Sequence, residues 1–305
     1  MRKLAKLLVF IVIPALLVNA WVVSRETREA ATFGGGRVVS ITGPDLNVRE
    51  YGSDSATGAI VLLHGYGGSI EWWADVAPEL AEETGRKVVA VDLVGHGGSE
   101  SPLDSDAYGA NGQAVAVARA LAVVKANDVV LVGHSMGGHI ATAVARREPD
   151  LVDRLVVIDT FGAPGLRDLG PLAEATCWPV VGAALDRARS IDAVTKSSLQ
   201  AGFAADFEVP TFAYRSLKQM IHRGVCDSTA GDEMNAKRPV ASQLAQLGKP
   251  VKVIWGGRDT LTPTAANVAA YENAGLTPEI VPRVGHSPQV EAPNDVVGII
   301  TGFVK

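Results

Sequence analysis

A serine on a sharp turn is the first feature of this sequence that indicates chemistry. Ser135 lies at the centre of Gly133-His-Ser-Met-Gly137, directly after the apolar run Val129–Val132 and directly before a helical stretch, Gly137–Arg147. A turn between a strand and a helix projects a serine hydroxyl above the edge of a sheet and close to a helix N-terminus. Because a nucleophilic serine needs this setting, Ser135 is predicted to be a catalytic nucleophile.

Two later loops supply the acid and the base that such a serine requires. Asp259 follows the apolar run Val251–Trp255, and His286 lies in a Gly-His-Ser-Pro loop after a short extended segment. An aspartate beyond the end of a strand orients a histidine and stabilises its imidazolium, so His286 is predicted to be the general base and Asp259 its acid. The alternative for Asp259 is a helix N-cap. His134, next to the nucleophile, is expected to point away from it.

A glycine-rich loop, His64-Gly65-Tyr66-Gly67-Gly68, follows the apolar run Ala59–Leu63. A loop of this kind can turn a backbone N–H toward the oxygen of a substrate carbonyl. The predicted oxyanion hole consists of the N–H groups of Tyr66 and Met136, with His64, Gly65 and Gly67 as the supporting loop. A plain β-turn is the alternative.

The elements that position these loops alternate along the chain. Arg37–Thr42 and Asn47–Tyr51 read as a hairpin, and continuous apolar runs separated by helical stretches then predict strands buried on both faces. This alternation predicts an α/β fold whose mostly parallel sheet is covered by helices on both faces. The strand pattern stops between residues 161 and 243, which predicts a helical insertion. The predicted core is therefore residues 37–160 and 244–305.

Four motifs together resemble those of the α/β-hydrolase superfamily: HGYGG, DLVGHGGS, GHSMGG and the pair WGGRD and GHS. The chain looks most similar to the serine esterase, lipase and carbon–carbon hydrolase branch, over residues 38–304. The resemblance implies an eight-stranded sheet with a helical cap inserted after the sixth strand, and it implies Ser135, Asp259 and His286 as the catalytic triad. It also implies that residues 161–243 form a lid over the substrate. Some relatives carry the acid after the sixth strand, which leaves Asp159 as an alternative.

The expected activity is that of a serine hydrolase which cleaves a small or lipid-like carboxylic ester through an acyl-enzyme on Ser135. Hydrolysis of a carbon–carbon or amide bond, or a non-catalytic binding role, are the alternatives. No metal or organic cofactor is expected, because the sequence shows no clustered ligand set and two cysteines cannot form a four-thiolate zinc site. A net charge of −5 without an internal basic stretch argues against a nucleic-acid partner.

The N-terminus combines a basic segment, Met1–Lys6, with an apolar one, Leu7–Val23. This pattern predicts a membrane anchor over residues 1–23, followed by a flexible linker over residues 24–36, with the catalytic domain outside the cytoplasm. A cleaved export signal and a secreted protein are the alternative. For an exported domain, a disulfide between Cys177 and Cys226 is plausible, against two independent buried thiols.

Overall fold

One eight-stranded sheet organises the protein, and its order is β1-β2-β4-β3-β5-β6-β7-β8 in a computed structural model that describes residues 8–166, 174–235 and 239–305. β2 pairs antiparallel with β1 and β4, and all the remaining pairs are parallel. The strands are Arg37–Val39 (β1), Leu46–Tyr51 (β2), Ala59–Leu63 (β3), Lys87–Val91 (β4), Val129–His134 (β5), Val152–Ile158 (β6), Val251–Gly256 (β7) and Pro278–Val281 (β8). The predicted α/β class and mostly parallel sheet are confirmed.

Helices occupy every connection between strands from β3 onward. The α-helices of the described residues are Ile13–Val23 (α1), Ala77–Thr84 (α2), Ala110–Val123 (α3), Met136–Arg147 (α4), Gly182–Leu185 (α5), Asp192–Leu199 (α6), Thr211–Gln219 (α7), His222–Asn235 (α8), Val240–Ala245 (α9), Thr264–Asn273 (α10), Pro288–Glu291 (α11) and Pro293–Val304 (α12). Between β6 and β7 the described residues form α5–α9 and no strand. We call residues 161–243 the inserted segment.

The core lies on both faces of the sheet because successive side chains of a strand point in opposite directions. In β3, Val61 and Leu63 pack with α3 and α4, whereas Ile60 and Leu62 pack with α2 and α12. All five residues of β3 are buried. A strand that is covered on both faces needs apolar residues at every position, which explains the continuous apolar runs in the sequence.

The N-terminal segment does not form the predicted membrane anchor. Among residues 8–166, 174–235 and 239–305, no helix is both long and apolar enough to be a membrane span. A π-helical turn, Leu8–Val12, and α1 comprise five and eleven residues, which together extend at most about 24 Å against a hydrocarbon core of roughly 30 Å. The anchor prediction is wrong, and the predicted membrane-anchored localisation is wrong for the same reason. Met1–Lys6 lies outside the described residues.

Residues 24–36, expected to form a flexible linker, are hydrogen-bonded to the rest of the protein. Arg28 forms an isolated β-bridge with Ser101, and the Ala31 N–H donates to the carbonyl oxygen of Gly98 at 2.8 Å. The Arg28 guanidinium donates to the carbonyl oxygens of Ser99 at 2.7 Å and Gln219 at 2.5 Å. The segment therefore connects the core with the inserted segment.

A disulfide joins two parts of the inserted segment. Cys177 and Cys226 are bonded, with their Cα atoms 5.4 Å apart. Both cysteines pack against a small apolar cluster that contains Leu217 and Val225, and Tyr66 of the glycine-rich loop packs against the same cluster. The disulfide thus lies beside the loop predicted to bind the oxyanion.

Candidate active site

Ser135 occupies a strained turn between β5, which ends at His134, and α4, which begins at Met136. Its φ of 51° and ψ of −118° lie outside the regions that non-glycine residues favour. The backbone is tightly packed here: a Cβ atom at Gly137 would lie 2.4 Å from the carbonyl oxygen of Leu63. Glycine is therefore required for α4 to approach β3, and this approach holds the serine at the edge of the sheet.

A continuous hydrogen-bonded chain links Ser135 to two side chains far away in sequence. The Ser135 hydroxyl and His286 Nε2 are 2.9 Å apart, and His286 Nδ1 lies 2.7 Å from Asp259 Oδ2. Both partners of the serine are almost fully buried, with His286 3% and Asp259 6% exposed. In the tautomer that suits this chain, Nδ1–H donates to Asp259 and Nε2 accepts the serine proton.

The loop after β7 prepares the carboxylate of Asp259 for this role. Its Oδ1 accepts from the N–H groups of Leu261 at 2.9 Å and Thr262 at 3.0 Å, and the Thr262 hydroxyl donates to Oδ2. Burial alone would raise the pKa of Asp259, but the charge of His286 and the hydrogen bonds from His286 and Thr262 lower it overall. The carboxylate therefore stays ionised and keeps His286 oriented.

The glycine-rich loop packs directly against Ser135. A Cβ atom at Gly65 would lie 3.1 Å from the Cβ of Ser135. His64 is fully buried, its Nδ1 is 2.7 Å from the carbonyl oxygen of Gly65, and its Nε2 accepts from the Leu93 N–H at 3.0 Å. Burial lowers the pKa of His64 well below its ordinary range, so this ring is neutral and supports the loop. Tyr66 follows Gly65, and Met136 follows Ser135; their N–H groups remain the predicted oxyanion donors.

His134 contacts the base loop, which the sequence analysis did not anticipate. Its Nε2–H donates to the carbonyl oxygen of His286 at 2.7 Å, and the two ring centroids are 5.1 Å apart. On its other side the ring stacks on Trp72 at 6.0 Å. Burial lowers the pKa of His134 to about 3, so the ring stays neutral. His134 thus helps to hold the loop of His286 in place.

A comparison with known families agrees with this geometry. The model described as "Alpha/beta hydrolase family" matches residues 60–299, which include the glycine-rich loop, Ser135, Asp259 and His286. The chain belongs to the alpha/beta hydrolase family. The predicted superfamily is confirmed.

Known relatives of this alpha/beta hydrolase differ in their activities. A Bacillus subtilis protein named for a 2-succinyl-6-hydroxy-2,4-cyclohexadiene-1-carboxylate synthase is 27% identical over 265 residues, which cover 82% of this chain and 91% of the relative. A crystal structure described as a membrane phospholipase A is 26% identical, with a TM-score of 0.69 over 99% of this chain and 94% of that one. An enol-lactonase from Burkholderia xenovorans shares the fold at 21% identity, with a TM-score of 0.72 over 88% of this chain and 99% of that one.

In this alpha/beta hydrolase, Glu291 connects the base loop to the inserted segment. Its carboxylate accepts from the Gly285 N–H at 3.0 Å, beside His286, and from the Ala204 N–H at 2.9 Å. The Ser287 hydroxyl adds a second link by donating to the carbonyl oxygen of Gly202 at 2.7 Å. No motif in the sequence marked Glu291, because its partners are ordinary backbone groups. The inserted segment therefore contacts the loop that carries the base.

Aromatic side chains of the inserted segment pack against Trp72, which stacks on His134. Trp72, next to His134, lies with its ring centroid 5.7 Å from Phe203 and 6.1 Å from Phe212, and Phe207 stacks on Phe203 at 5.6 Å. We call Trp72, Phe203, Phe207 and Phe212 the aromatic cluster. Three of its four members come from the inserted segment, so this segment packs an apolar surface against Trp72, beside His134.

Asp159, the alternative acid, lies close to the triad without replacing Asp259 in it. In the described part of the chain, one group of three side chains with atoms able to bind a metal ion comes together: an oxygen of Asp159, an oxygen of Asp259 and a ring nitrogen of His286 lie within 4.8 Å of one another. The hydrogen bond from His286 goes to Asp259. His286 bonds to Asp259 and Ser135, whereas Asp159 Oδ1 accepts from the Gly256 N–H at 2.9 Å.

Proposed function

We propose that this alpha/beta hydrolase cleaves carboxylic esters through a covalent acyl-enzyme on Ser135. The observation that carries the proposal is the buried hydrogen-bonded chain from Asp259 through His286 to the Ser135 hydroxyl, with distances of 2.7 Å and 2.9 Å. A serine hydroxyl becomes a competent nucleophile when a histidine within hydrogen-bonding distance accepts its proton. Asp259, Ser135 and His286 satisfy that requirement.

The proposed reaction proceeds in two halves. His286 Nε2 takes the proton of Ser135 Oγ as this oxygen attacks the ester carbonyl carbon, and the N–H groups of Tyr66 and Met136 stabilise the negative oxygen. His286 then returns the proton to the leaving alcohol as the ester C–O bond breaks. In the second half, His286 removes a proton from water, the resulting hydroxide attacks the acyl carbon, and the acid departs as Ser135 regains its proton.

The surroundings of Ser135 favour an ester with an apolar acyl chain. Trp72 belongs to the aromatic cluster, and Tyr66 packs against the apolar cluster that contains Leu217. Apolar walls of this kind bind acyl chains by removing their surface from water. The likeness to a structure described as a membrane phospholipase A supports the same substrate class. We therefore propose lipid-like acyl esters as substrates, with residues 161–243 as the cap over them.

A fluorophosphonate probe and an ester series test the proposal. The probe should label the wild-type protein and leave Ser135→Ala unlabelled, while Ser40→Ala, a change at an exposed serine, should label normally. Hydrolysis of p-nitrophenyl esters should rise from the acetyl to longer acyl groups. Labelling that persists in Ser135→Ala would contradict the nucleophile assignment.

The same assays separate the competing reactions of this fold. A Ser135-dependent protein that ignores the esters but cleaves a dienoate or an anilide would instead be a carbon–carbon or amide hydrolase. A protein that the probe does not label and that hydrolyses none of these substrates would favour a non-catalytic binding role.

A further inference from the structure

Asp159 is a buried carboxyl group that the proposed mechanism does not use. It follows β6, is fully buried, and has a φ of 43° that is strained for an aspartate. Its Oδ1 accepts from the Gly256 N–H at 2.9 Å, whereas its buried Oδ2 receives no hydrogen bond from the described residues. A buried carboxylate with a single donor is costly, because its charge has lost most of its hydration. A neutral acid at this position avoids that cost.

Asp259 differs from the neighbouring Asp159 because its carboxylate has several hydrogen-bond donors. Oxygen atoms of Asp159 and Asp259 lie within 4.8 Å of each other and of a ring nitrogen of His286. Asp259 receives four hydrogen bonds, from the Leu261 and Thr262 N–H groups, the Thr262 hydroxyl and His286. Two adjacent buried acids do not ionise together readily. The difference in donors therefore favours the charge on Asp259 and the proton on Asp159.

Most of the other influences on Asp159 also favour its protonated form. Burial first, and then the charge of Asp259, raise the pKa of Asp159 well above its ordinary range, and Glu291 raises it further. The hydrogen bond from the Gly256 N–H acts the other way and is outweighed. From α10, Tyr271 faces the same carboxyl, and its buried phenol has a raised pKa and stays neutral. The remaining neighbour, His286, is hydrogen-bonded through Nδ1 to Asp259, so it stabilises a charge on Asp259 rather than on Asp159.

We propose that Asp159 carries a proton and donates it in a hydrogen bond to the ionised Asp259. We propose further that Asp159 becomes the hydrogen-bond partner of His286 when Asp259 loses its charge. The inference rests on the proposed function, because Asp259 is the acid of the proposed triad. Asp159 is a positioning residue, since it acts on the base through Asp259. When Asp259 becomes neutral, the repulsion that kept the proton on Asp159 disappears. Burial still opposes a charge on Asp159, but the Nδ1–H of His286, released from Asp259, becomes an additional donor that offsets this cost and lets Asp159 ionise as the new partner of the ring.

A double-mutant cycle with Asp159→Asn and Asp259→Asn tests this exchange by kcat for a p-nitrophenyl ester. Asp259→Asn alone should lower kcat about 10- to 100-fold, because Asp159 replaces the lost charge. Adding Asp159→Asn should lower kcat at least a further 100-fold, towards the roughly 10⁴-fold loss of a triad without its acid. Asp159→Asn alone should change kcat less than 5-fold, since its amide N–H still donates to Asp259. Asp206→Asn, at a largely exposed aspartate, is the matched control.

Two results would overturn the inference. One is an Asp259→Asn variant that already shows the full 10⁴-fold loss; the other is an effect of Asp159→Asn that is equal in both backgrounds. The pH profile adds a further readout, because kcat of Asp259→Asn should gain an acid limb that disappears in the double variant.

Infrared spectroscopy tests the shared proton without any activity. At pH 7 the catalytically silent Ser135→Ala protein should show the C=O stretch of a protonated carboxyl that is lost on adding Asp159→Asn; absence of this band would contradict a neutral Asp159. If Ser135→Ala keeps its esterase activity, the proposed function fails, while the infrared result still decides the proton.

Discussion

Replacement of His134 by phenylalanine isolates one hydrogen bond of the base loop. Phenylalanine keeps an aromatic ring to stack on Trp72, 6.0 Å away, and removes the donor that binds the carbonyl oxygen of His286 at 2.7 Å. Because His134 is neutral, the change removes no charge. The backbone carbonyl of the general base is then left buried without its partner from β5.

The expected loss follows from the value of that hydrogen bond. A buried acceptor left without its donor costs about 1–3 kcal/mol. If the whole loss falls on the placement of His286 relative to Ser135, kcat declines about 5- to 160-fold, at 1.36 kcal/mol for each factor of ten. His134→Gln retains an N–H donor of similar reach, so we expect it to stay within about 5-fold of the wild type.

The assay is the rate of fluorophosphonate labelling together with kcat for a p-nitrophenyl ester, with the thermal midpoint as a check on folding. A His134→Phe protein that reacts at the wild-type rate would refute the positioning role. The reasoning would also fail if His134→Gln lost as much activity as His134→Phe, because the donor would then not be the important feature.

Three further predictions concern the disulfide, the pH dependence of stability and the acid loop. Cys177→Ser opens a loop whose ends are 49 residues apart, so the free energy of unfolding should fall by about 4 kcal/mol in the chain-entropy model. Urea unfolding with and without reductant measures this change. As a control, Cys177→Ser and the reduced wild type should give the same unfolding curve. Burial lowers the pKa of His96 to about 4. Between pH 6.5 and 4 the unfolded state therefore binds one more proton than the folded state, and the free energy of unfolding falls as the pH falls. His96→Asn should make this dependence shallower by about 1.4 kcal/mol per pH unit, and an unchanged slope in urea unfolding at several pH values would contradict the prediction. Thr262→Val removes the hydroxyl that donates to Asp259. If the loss of this hydrogen bond to a charged group falls on the placement of His286, kcat/KM should decline about 10-fold or more. Full activity in a p-nitrophenyl ester assay would show that the backbone donors suffice.

The chemistry-bearing loops were predictable because each depends on a local pattern. An apolar run followed by glycine and a polar residue identifies the end of a buried strand, and this pattern located Ser135, Asp259 and His286. The ends of parallel strands meet at one edge of the sheet, so the three side chains were expected to converge. The structure brings them within hydrogen-bonding distance of one another.

The prediction of an N-terminal membrane anchor was wrong because it depended on hydropathy. Hydropathy is a property of composition, and it does not report how far a helix continues or what it packs against. α1 ends at Val23, and the side chain of Asn19 accepts a hydrogen bond from Arg187 of the inserted segment at 2.5 Å. That contact joins residues far apart in the chain, so no window of the sequence contained it.

The sequence by itself determined the alternation of strands and helices, the position of Ser135 between a strand and a helix, and the family, because these depend on neighbouring residues. Tertiary structure alone decided that His134 donates to His286, that Glu291 ties the base loop to Ala204, and that Asp159 lies beside Asp259. Each of these pairs joins different elements across many residues. Their distances are set by the order of strands in the sheet and by the packing of the inserted segment. No local pattern of side chains predicts either property.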